Sequence, residues 1–460
     1  MNSRLFGVLA MTLTGAVSAQ AAGFALYGAS AKGMAMGGAL VGKAADASAN
    51  FYNPATLSDF TNTVVTAGLC LEIPRANVKV HDFSNERLYK GRLNPGCFYL
   101  PHLYVAQPLP AGFTFGLGLA PEFGLGSEYC ESWPLNWNST KTTVEGFVVN
   151  PNLAYQITDD WSVSAGLRFL YITFEQAKHP IAAKEGHRVG QLDTNLVGDN
   201  GFGDWGWQLS TRYKITESLS AGLMYRSYID TRVRGHYNTS VRSYDYTLAP
   251  GLAQAGLMEH GLMPGSPYFD AMYPAALEQA REGIRDGVAA AARRNNGRAG
   301  ANIRLPQSIS AGLNWDVTET IHVAPALTWT HWSTISGIAF GLEGDDQYVP
   351  LNWKDVYRGT IAGAWDFAEN WTLMGSYVYD IDPCQTDLNV GSTMLPAGSR
   401  HLLTAGLAWH WRNFELSACY GLILMSGRGQ NYSDDAGNLY HFSTTAGRSH
   451  QVGVSLSYYF

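Results

Sequence analysis

The chain has 460 residues, of which 46% are hydrophobic, 12% aromatic and only 15% charged, with a formal net charge of −7. The charged fraction lies below the ~25% of an average soluble domain, and the negative balance argues against a nucleic-acid partner. Five cysteines without C-x-x-C spacing and 12 scattered histidines indicate no metal site, whereas either a Cys97–Cys130 disulfide or unpaired thiols would fit the sequence.

Residues 1–21 are typical of a secretory signal peptide. Arg4 precedes the apolar run LFGVLAMTLTGAV, and an A-x-A cleavage motif ends at Ala21. We therefore expect the mature chain to start near Ala22, outside the cytosol.

Residues 22–62 form a segment rich in small residues. The run GASAKGMAMGGALVGKAADASA is too polar for a membrane helix and too poor in β-branched residues for a strand. It ends in NFYNPATL, where Pro54 stops a helical turn and Asn53, ahead of Ala55, can hydrogen-bond to unpaired backbone. Short helical turns of small residues can pack inside a tube, so we expect an N-terminal plug, or hatch.

Residues 63–460 read as β-strands with period-2 alternation. The predicted strands are 63–73, 98–107, 112–121, 145–156, 161–174, 203–214, 218–234, 303–315, 320–331, 355–367, 371–379, 400–411, 413–424 and 449–460. Tight turns alternate with long connections throughout, as periplasmic turns alternate with extracellular loops in outer-membrane barrels. Nothing in the architecture of a soluble β-protein requires short and long connections to alternate in this way.

The fold class is therefore all-β, a 14-stranded antiparallel transmembrane β-barrel with a hatch of short helices in its lumen. The last strand alternates strictly and ends on Phe460, which is typical of the terminal strand that the outer-membrane assembly machinery reads. The expected location is the bacterial outer membrane, in contact with its lipids. A non-transporting structural barrel or adhesin is an alternative that fits the loops but leaves the hatch unexplained.

The third predicted strand, FTFGLGLAPEFGLG, is unusual because it holds Pro121 and several glycines, including Gly124. Proline cannot donate to a ladder, and glycine within a strand often marks a bulge. We expect hydrogen bonding to a neighbouring strand to fail there, leaving a lateral gap in the wall. The alternative is that Pro121 simply ends the strand at the outer interface.

The fifth predicted strand has one lipid-compatible face, whereas its other face changes character along its length. The second face runs from Ser162 and Ser164 through Arg168 to Leu170, Ile172 and Phe174. It becomes apolar toward the outer end, which predicts a hydrophobic pocket rather than a water-filled pore.

Two long loops, 122–144 and 235–302, carry further candidates. The first holds Phe123 and Trp133, and the second holds an amphipathic helical pattern over 273–294. Together they could wall an external capture groove, or the helix could seal the top of the barrel.

Several motifs, in order along the chain, resemble the FadL-type long-chain fatty-acid transporters, a family that includes aromatic-hydrocarbon importers. They are NPA at 53–55, PEFGLGSEY at 121–129, NPNLAYQITDDWSVSAGL at 150–167, GDNGFGDWGW at 198–207, MYRS at 224–227, LPQS at 305–308, THWSTI at 330–335, the run 352–383 and LPAGSRHLLTAGLAW at 395–409. The resemblance implies an external groove, an internal pocket and a lateral exit at the third strand.

The resemblance also aligns Lys178 with a basic pocket residue, whereas a second family lysine falls near Val349 and is lost. Arg168 or Lys354 could substitute for it. The predicted function is passive uptake of hydrophobic molecules, with long-chain fatty acids favoured and uncharged aromatic hydrocarbons as the alternative. No cofactor is expected, and an enzyme is disfavoured because G-x-S-x-G is absent and GFGDWG at 201–206 opens a strand.

Overall fold

The computed structural model describes residues 23–460 except 94–95, 185, 336, 343–344, 351–352, 385–392, 394–397, 435–436 and 446, and gives the backbone alone for 337–342 and 345–350. The predicted signal peptide lies outside the described residues. No helix within them is both long enough and apolar enough to cross a bilayer.

Fourteen antiparallel strands close into a barrel, because β1 pairs with both β2 and β14. The strands are β1 Val64–Arg75, β2 Phe98–Pro108, β3 Phe113–Glu128, β4 Lys141–Gln156, β5 Trp161–Lys178, β6 His187–Asp199 and Asp204–Lys214, β7 Leu219–Arg226 and Ile229–Tyr244, β8 Gly297–Leu305 and Ser308–Asp316, β9 Ile321–Thr330 and Gly337–Leu342, β10 Asp345–Pro350 and Val356–Ala368, β11 Trp371–Asp380, β12 Arg400–Trp411, β13 Phe414–Met425 and β14 Gly447–Tyr459. The predicted fold class and strand number are confirmed.

Several strands extend further than the sequence predicted. β3 and β4 leave a connection of only 129–140 between them, and β7 and β8 leave 245–296. In the outer part of β7, outward residues such as Arg232, Arg234 and His236 are polar and exposed. Beyond the lipid the outward face no longer has to be apolar, so the ladder continues where the hydrophobic alternation ends.

The outward face of the barrel is apolar and aromatic. Exposed side chains include Phe115, Leu117, Leu153, Trp161, Leu167, Trp207, Leu209, Leu223, Trp365, Trp409, Leu416 and Leu456. Such a surface is stable only against lipid. The opposite residues of the same strands are buried, as the period-2 pattern requires.

The N-terminal segment, residues 23–62, lies inside the barrel. It contains α1 Ala31–Ala35, α2 Ala49–Tyr52 and a 3₁₀ turn at Pro54–Asp59. Its backbone is bound by inward side chains of the wall: Ala31 N donates to Ser455 Oγ at 2.9 Å, and Thr404 Oγ1 donates to Ala35 O at 2.6 Å. A Cβ at Gly222 would lie 1.9 Å from Val41 O, so the segment packs directly onto wall backbone.

Two further structures lie at the end of the barrel where the long connections join the strands, here called the long-connection side. Four short strands, Asn77–Asp82, Arg87–Arg92, Gly429–Ser433 and Leu439–Thr444, form a separate sheet, here called the cap sheet. Helices α3 Ala249–Glu259 and α4 Pro267–Arg294 pack together and against the outer parts of β6 and β7, where a short strand, Ile181–Lys184, also pairs with β6.

Candidate functional site

The ladder between β2 and β3 stops part-way along β3. It runs from the Pro108–Thr114 pair to the Leu103–Leu119 pair and goes no further, although β3 continues to Glu128. On its other edge β3 pairs with β4 along its whole length, with a register shift between Pro121 and Phe123. The upper half of β3 is therefore detached from β2, at the level of Pro121 and Gly124.

The start of the N-terminal segment occupies part of this break. Leu26 N donates to Glu122 O at 2.8 Å, and Gly124 N donates to Phe24 O at 2.7 Å. Ala25 and Phe123 thereby form an isolated antiparallel bridge. Backbone groups at membrane depth need partners, and here the N-terminal segment supplies two of them.

Beside this bridge, inside the barrel, buried apolar side chains form a packed cluster, which is the candidate ligand pocket. Its lining includes the β5 residues Leu170, Ile172 and Phe174, at 0%, 1% and 4% exposure, together with Phe123 from β3. The other buried members are Phe24, Ala25, Leu125, Val144, Val148, Leu196, Ile229, Val233, Ala299, Ala301, Ile303, Leu305, Trp332, Ile335, Trp353, Val356 and Cys384.

Aromatic rings connect the pocket to the bridge. The Phe24 ring lies 5.0 Å from that of Trp332 and 6.0 Å from those of Phe123 and Trp353. Gly23 has a positive φ of 64°, and a Cβ there would lie 2.4 Å from the Trp332 ring. Phe24 is thus both a wall of the pocket and part of the bridge to β3.

The predicted basic residues lie in different environments. Arg168 is 2% exposed; its Nη2 is ion-paired with Glu122 and its Nη1 donates to Ser227 O at 3.1 Å. Lys178 is half-buried and has an interaction partner of its own, and Lys354 is exposed. Of these three residues Arg168, two positions before Leu170 on β5, is the fully buried one, and it already faces a carboxylate.

Trp133 lies in a different apolar cluster, under the cap sheet. It is 1% exposed, stacks on Tyr129 at 3.8 Å and packs against Phe442. Helix α4 buries Ile284 and Val288 in yet another cluster with residues of β6. The two surfaces that could have walled one groove thus pack in separate clusters. Helix α4 packs against Leu192 and Val241, which lie on the same side of their strands as Leu196 and Val233 of the internal cluster.

Asn53, Pro54 and Ala55 belong to the N-terminal segment and lie against β6. Asn53 Nδ2 donates to Val41 O at 2.7 Å and to Thr211 O at 3.1 Å, while its Oδ1 accepts from Ala55 N at 3.0 Å. Pro54 opens the 3₁₀ turn. One side chain therefore caps this turn and joins it to the barrel wall.

Sequence reasoning missed Phe24, Glu122, Arg226, Trp332 and Trp353. Glu122 carried a usable signal, since it is a lone carboxylate within an apolar, glycine-rich strand. The aromatic residues gave no such signal in the sequence, because only the closed barrel brings residues 24, 123, 332 and 353 together. All five cysteines are free thiols, and the described residues hold no cluster of three metal-ligating side chains.

Comparison with known proteins matches residues 12–460 to the model of the family described as outer membrane protein transport protein (OMPP1/FadL/TodX). The chain belongs to this family. It is accordingly an outer-membrane transport protein and not an enzyme.

Relatives of known sequence and structure agree with this assignment. The long-chain fatty acid transport protein of Escherichia coli O6:H1 is 23% identical over 96% of both chains, and that of Salmonella typhi is 22% identical over the same shares. A FadL homologue from Pseudomonas aeruginosa aligns with a TM-score of 0.75 at 16% identity, covering 95% of this chain and 99% of its own. The toluene transporter TodX of Pseudomonas putida aligns with a TM-score of 0.64 at 18% identity, with the same coverage. At these identities the structures show the FadL-type fold alone.

Proposed function

We propose that this FadL-family protein takes up hydrophobic molecules passively across the outer membrane, and that they leave sideways through the break between β2 and β3. Long-chain fatty acids are the first candidate cargo. The observation that carries the proposal is the continuity of the apolar pocket with the bridge at Ala25 and Phe123.

The pocket is suited to a long apolar tail. Burial of a methylene group contributes ~0.8 kcal/mol, so a chain of a dozen methylenes gains ample free energy on leaving water for a lining of this kind. In the other part of the lumen the inner face of the wall carries polar side chains, and the N-terminal segment packs against them. The segment thus obstructs this part of the lumen, which supports a hatch role for residues 23–62.

Exit requires a local movement of the first residues of that segment. Phe24 to Leu26 are held to β3 by two backbone hydrogen bonds, and the Phe24 ring contacts aromatic residues of the pocket. A ligand in the pocket competes with Phe24 for the same apolar surface. Its binding therefore favours displacement of the segment and opening of the break toward lipid, without any energy source.

Uncharged aromatic compounds are a second candidate cargo. Three aromatic rings, those of Phe123, Trp332 and Trp353, surround Phe24, and Arg168 is already paired with Glu122. A pocket of this composition can accept a flat apolar ligand by stacking or edge-to-face contact. Relatives named as toluene transporters share the fold.

The lateral exit can be tested by uptake of radiolabelled oleate and toluene into Gram-negative cells without another transporter of this family. The variant Pro121→Ala/Gly124→Leu restores a backbone donor and fills the break, so slower uptake is expected at equal surface expression. Gly359→Leu is the control, because no atom lies within 4 Å of a Cβ at that position. Unchanged uptake in the double variant would refute the exit route, and mass spectrometry of co-purified lipid would identify the native cargo.

A further inference from the structure

Basic side chains are concentrated on the outward face of β7 and β8, beyond the apolar belt of the barrel. Arg232, Arg234 and His236 alternate along β7, and Arg298 lies opposite His236 on β8. All four side chains are exposed, and this surface is here called the basic patch. It contrasts with the chain as a whole, which has a formal net charge of −7.

The basic patch lies above a group of exposed aromatic residues. Phe202, Trp205 and Tyr228 are 53%, 58% and 47% exposed, and aromatic girdles of this kind mark the interface between lipid and water. Arg232 is the fourth residue after Tyr228, which places it ~13 Å further along the strand. A strand tilt of ~40° reduces this to a height of ~10 Å. The patch therefore faces lipid headgroups that extend well beyond the apolar belt.

Positive charges are crowded within the basic patch. Arg232 and Arg234 are two residues apart on one strand, a separation of ~7 Å. Arg234 lies diagonally across from Arg298, at a distance of ~7–8 Å, and His236 lies directly opposite Arg298. Like charges so close on one face oppose the pairing of the strands. An anion bound from outside would therefore stabilise this part of the wall.

A neighbouring arginine shows how such a charge is satisfied within the chain. Arg304, on the same face of β8, forms two hydrogen bonds to Asp230, at 2.6 and 3.0 Å, and its guanidinium carbon lies 4.7 Å from the centre of the Tyr228 ring. The three arginines of the basic patch, by contrast, make no ion pair in the described part of the chain. Their donors remain available to a ligand.

The nearby carboxylates of β6 do not neutralise the patch. Asp199 is the register partner of Arg234, but its Oδ1 accepts a hydrogen bond from Gly201 N at 2.8 Å. Asp204 Oδ2 accepts from the Thr231 hydroxyl at 2.5 Å. With Asp230 already paired, these two carboxylates face the three arginines of the patch, so an excess of positive charge remains.

We propose that the basic patch binds the phosphate groups of a phosphorylated glycolipid in the leaflet on the long-connection side, which is the outer leaflet in barrels of this kind. Guanidinium groups bind phosphate through paired hydrogen bonds. The acyl chains of the lipid lie against the apolar belt, and its sugars carry the phosphates past the aromatic girdle to the arginines. A glycerophospholipid, whose phosphate lies at the edge of the hydrocarbon, reaches them less well. This site is separate from the proposed cargo route.

Binding of diphosphoryl lipid A, its fully dephosphorylated form and phosphatidylglycerol to the purified full-length protein in detergent tests the site, with native mass spectrometry as the readout. We expect the wild-type protein to prefer diphosphoryl lipid A, with an affinity that falls as salt is added. Arg232→Gln/Arg234→Gln/Arg298→Gln should raise the Kd for this lipid by about tenfold or more, as expected for loss of charge-assisted hydrogen bonds. Inorganic phosphate should compete only weakly, because it has no acyl chains.

Two further variants serve as controls. Arg304→Gln removes an arginine from the same face that is already paired with Asp230, and Lys79→Gln/Lys90→Gln/Arg92→Gln removes three exposed cations from the cap sheet. Each should change the Kd by less than about twofold, because a paired or distant surface charge contributes little. Heat-modifiable migration on gels reports the folding of every variant.

Three results would overturn the site. Equal weakening by the cap-sheet variant and by the patch variant would show general charge attraction instead of a binding site. Equal affinity of the wild-type protein for lipid A with and without phosphates would show that the acyl chains alone are bound. Full competition by inorganic phosphate would show a site for the free anion. None of these results bears on cargo uptake, so the proposed function would stand.

Discussion

The backbone N–H of Gly124 donates a 2.7 Å hydrogen bond to the carbonyl oxygen of Phe24, 100 residues earlier in the chain. One residue belongs to a wall strand whose ladder to β2 has ended, and the other to the segment inside the lumen. The bond connects the break in the wall with the pocket that Phe24 lines. Four predictions follow from this arrangement and its surroundings.

Substitution of Gly23 should release the bridge to β3. Gly23 has a φ of 64°, and a side chain there would collide with the Trp332 ring. We expect Gly23→Val to increase hydrogen exchange at the Gly124 amide, measured by mass spectrometry of peptides that span β3. Gly201→Val is the control, because Gly201 has the same φ and nothing within 4 Å of its Cβ position. An equal increase in both variants would point to backbone strain rather than to the bridge.

Removal of the Asn53 side chain should make the barrel leak. Asn53→Ala deletes both donated bonds to Val41 and Thr211 as well as the cap of the 3₁₀ turn. The expected result is measurable conductance in planar bilayers, with normal heat-modifiable folding. Ser30→Ala is the comparison, since Ser30 caps α1 through Gly33 N and bonds to Ser48, and among the described residues its side chain makes no hydrogen bond to the wall. If the Asn53→Ala variant shows no conductance, the hydrogen bonds of Asn53 are not needed to keep the barrel closed.

A buried ion pair should hold α1 to the wall. Lys32 Nζ lies 2.5 Å from Glu415 Oε1, and the two side chains are 9% and 1% exposed. Glu415→Gln leaves a buried charge without its carboxylate, which typically costs ~3–5 kcal/mol. We expect a lower free energy of unfolding in urea titrations of the folded protein in lipid.

The double variant Lys32→Met/Glu415→Met removes both charges and should recover most of that stability, because replacing a buried pair by apolar residues is often neutral. A double variant no more stable than Glu415→Gln would contradict this account.

Cys130, on the long-connection side, should react readily with thiol reagents. Partial burial raises its pKa, but hydrogen bonds from Tyr89 and Ser132 lower it further, so the pKa lies below its ordinary value. More thiolate is then present near neutral pH, where a membrane-impermeant maleimide on intact cells should label Cys130 and spare the buried Cys70 and Cys419.

Tyr89→Phe should slow this labelling near neutral pH, since the pKa rises when the donor is lost, and the two rates should converge at alkaline pH. Labelling that occurs only after cell lysis would place the long connections on the periplasmic side.

The number and order of the barrel strands could be predicted because lipid imposes a strict period of two on every strand that crosses it. The same rule explains the errors in strand length. Outside the bilayer, residues such as Arg232 and Arg234 face water, so the pattern stops while backbone pairing continues. Pro121 and the nearby glycines also carried a readable signal, since a residue without an N–H cannot maintain a ladder.

The sequence by itself determined the barrel, the small-residue segment that fills it and the place where one strand loses its neighbour, because these depend on local periodicity and backbone chemistry. Only the tertiary structure decided which groups meet in the lumen. Closure of the barrel brings Phe24 to Gly124 and to Trp332, and Arg168 to both Glu122 and Ser227. Contacts between strands so far apart in the chain leave no periodic trace in the sequence, so they had to be read from the folded molecule.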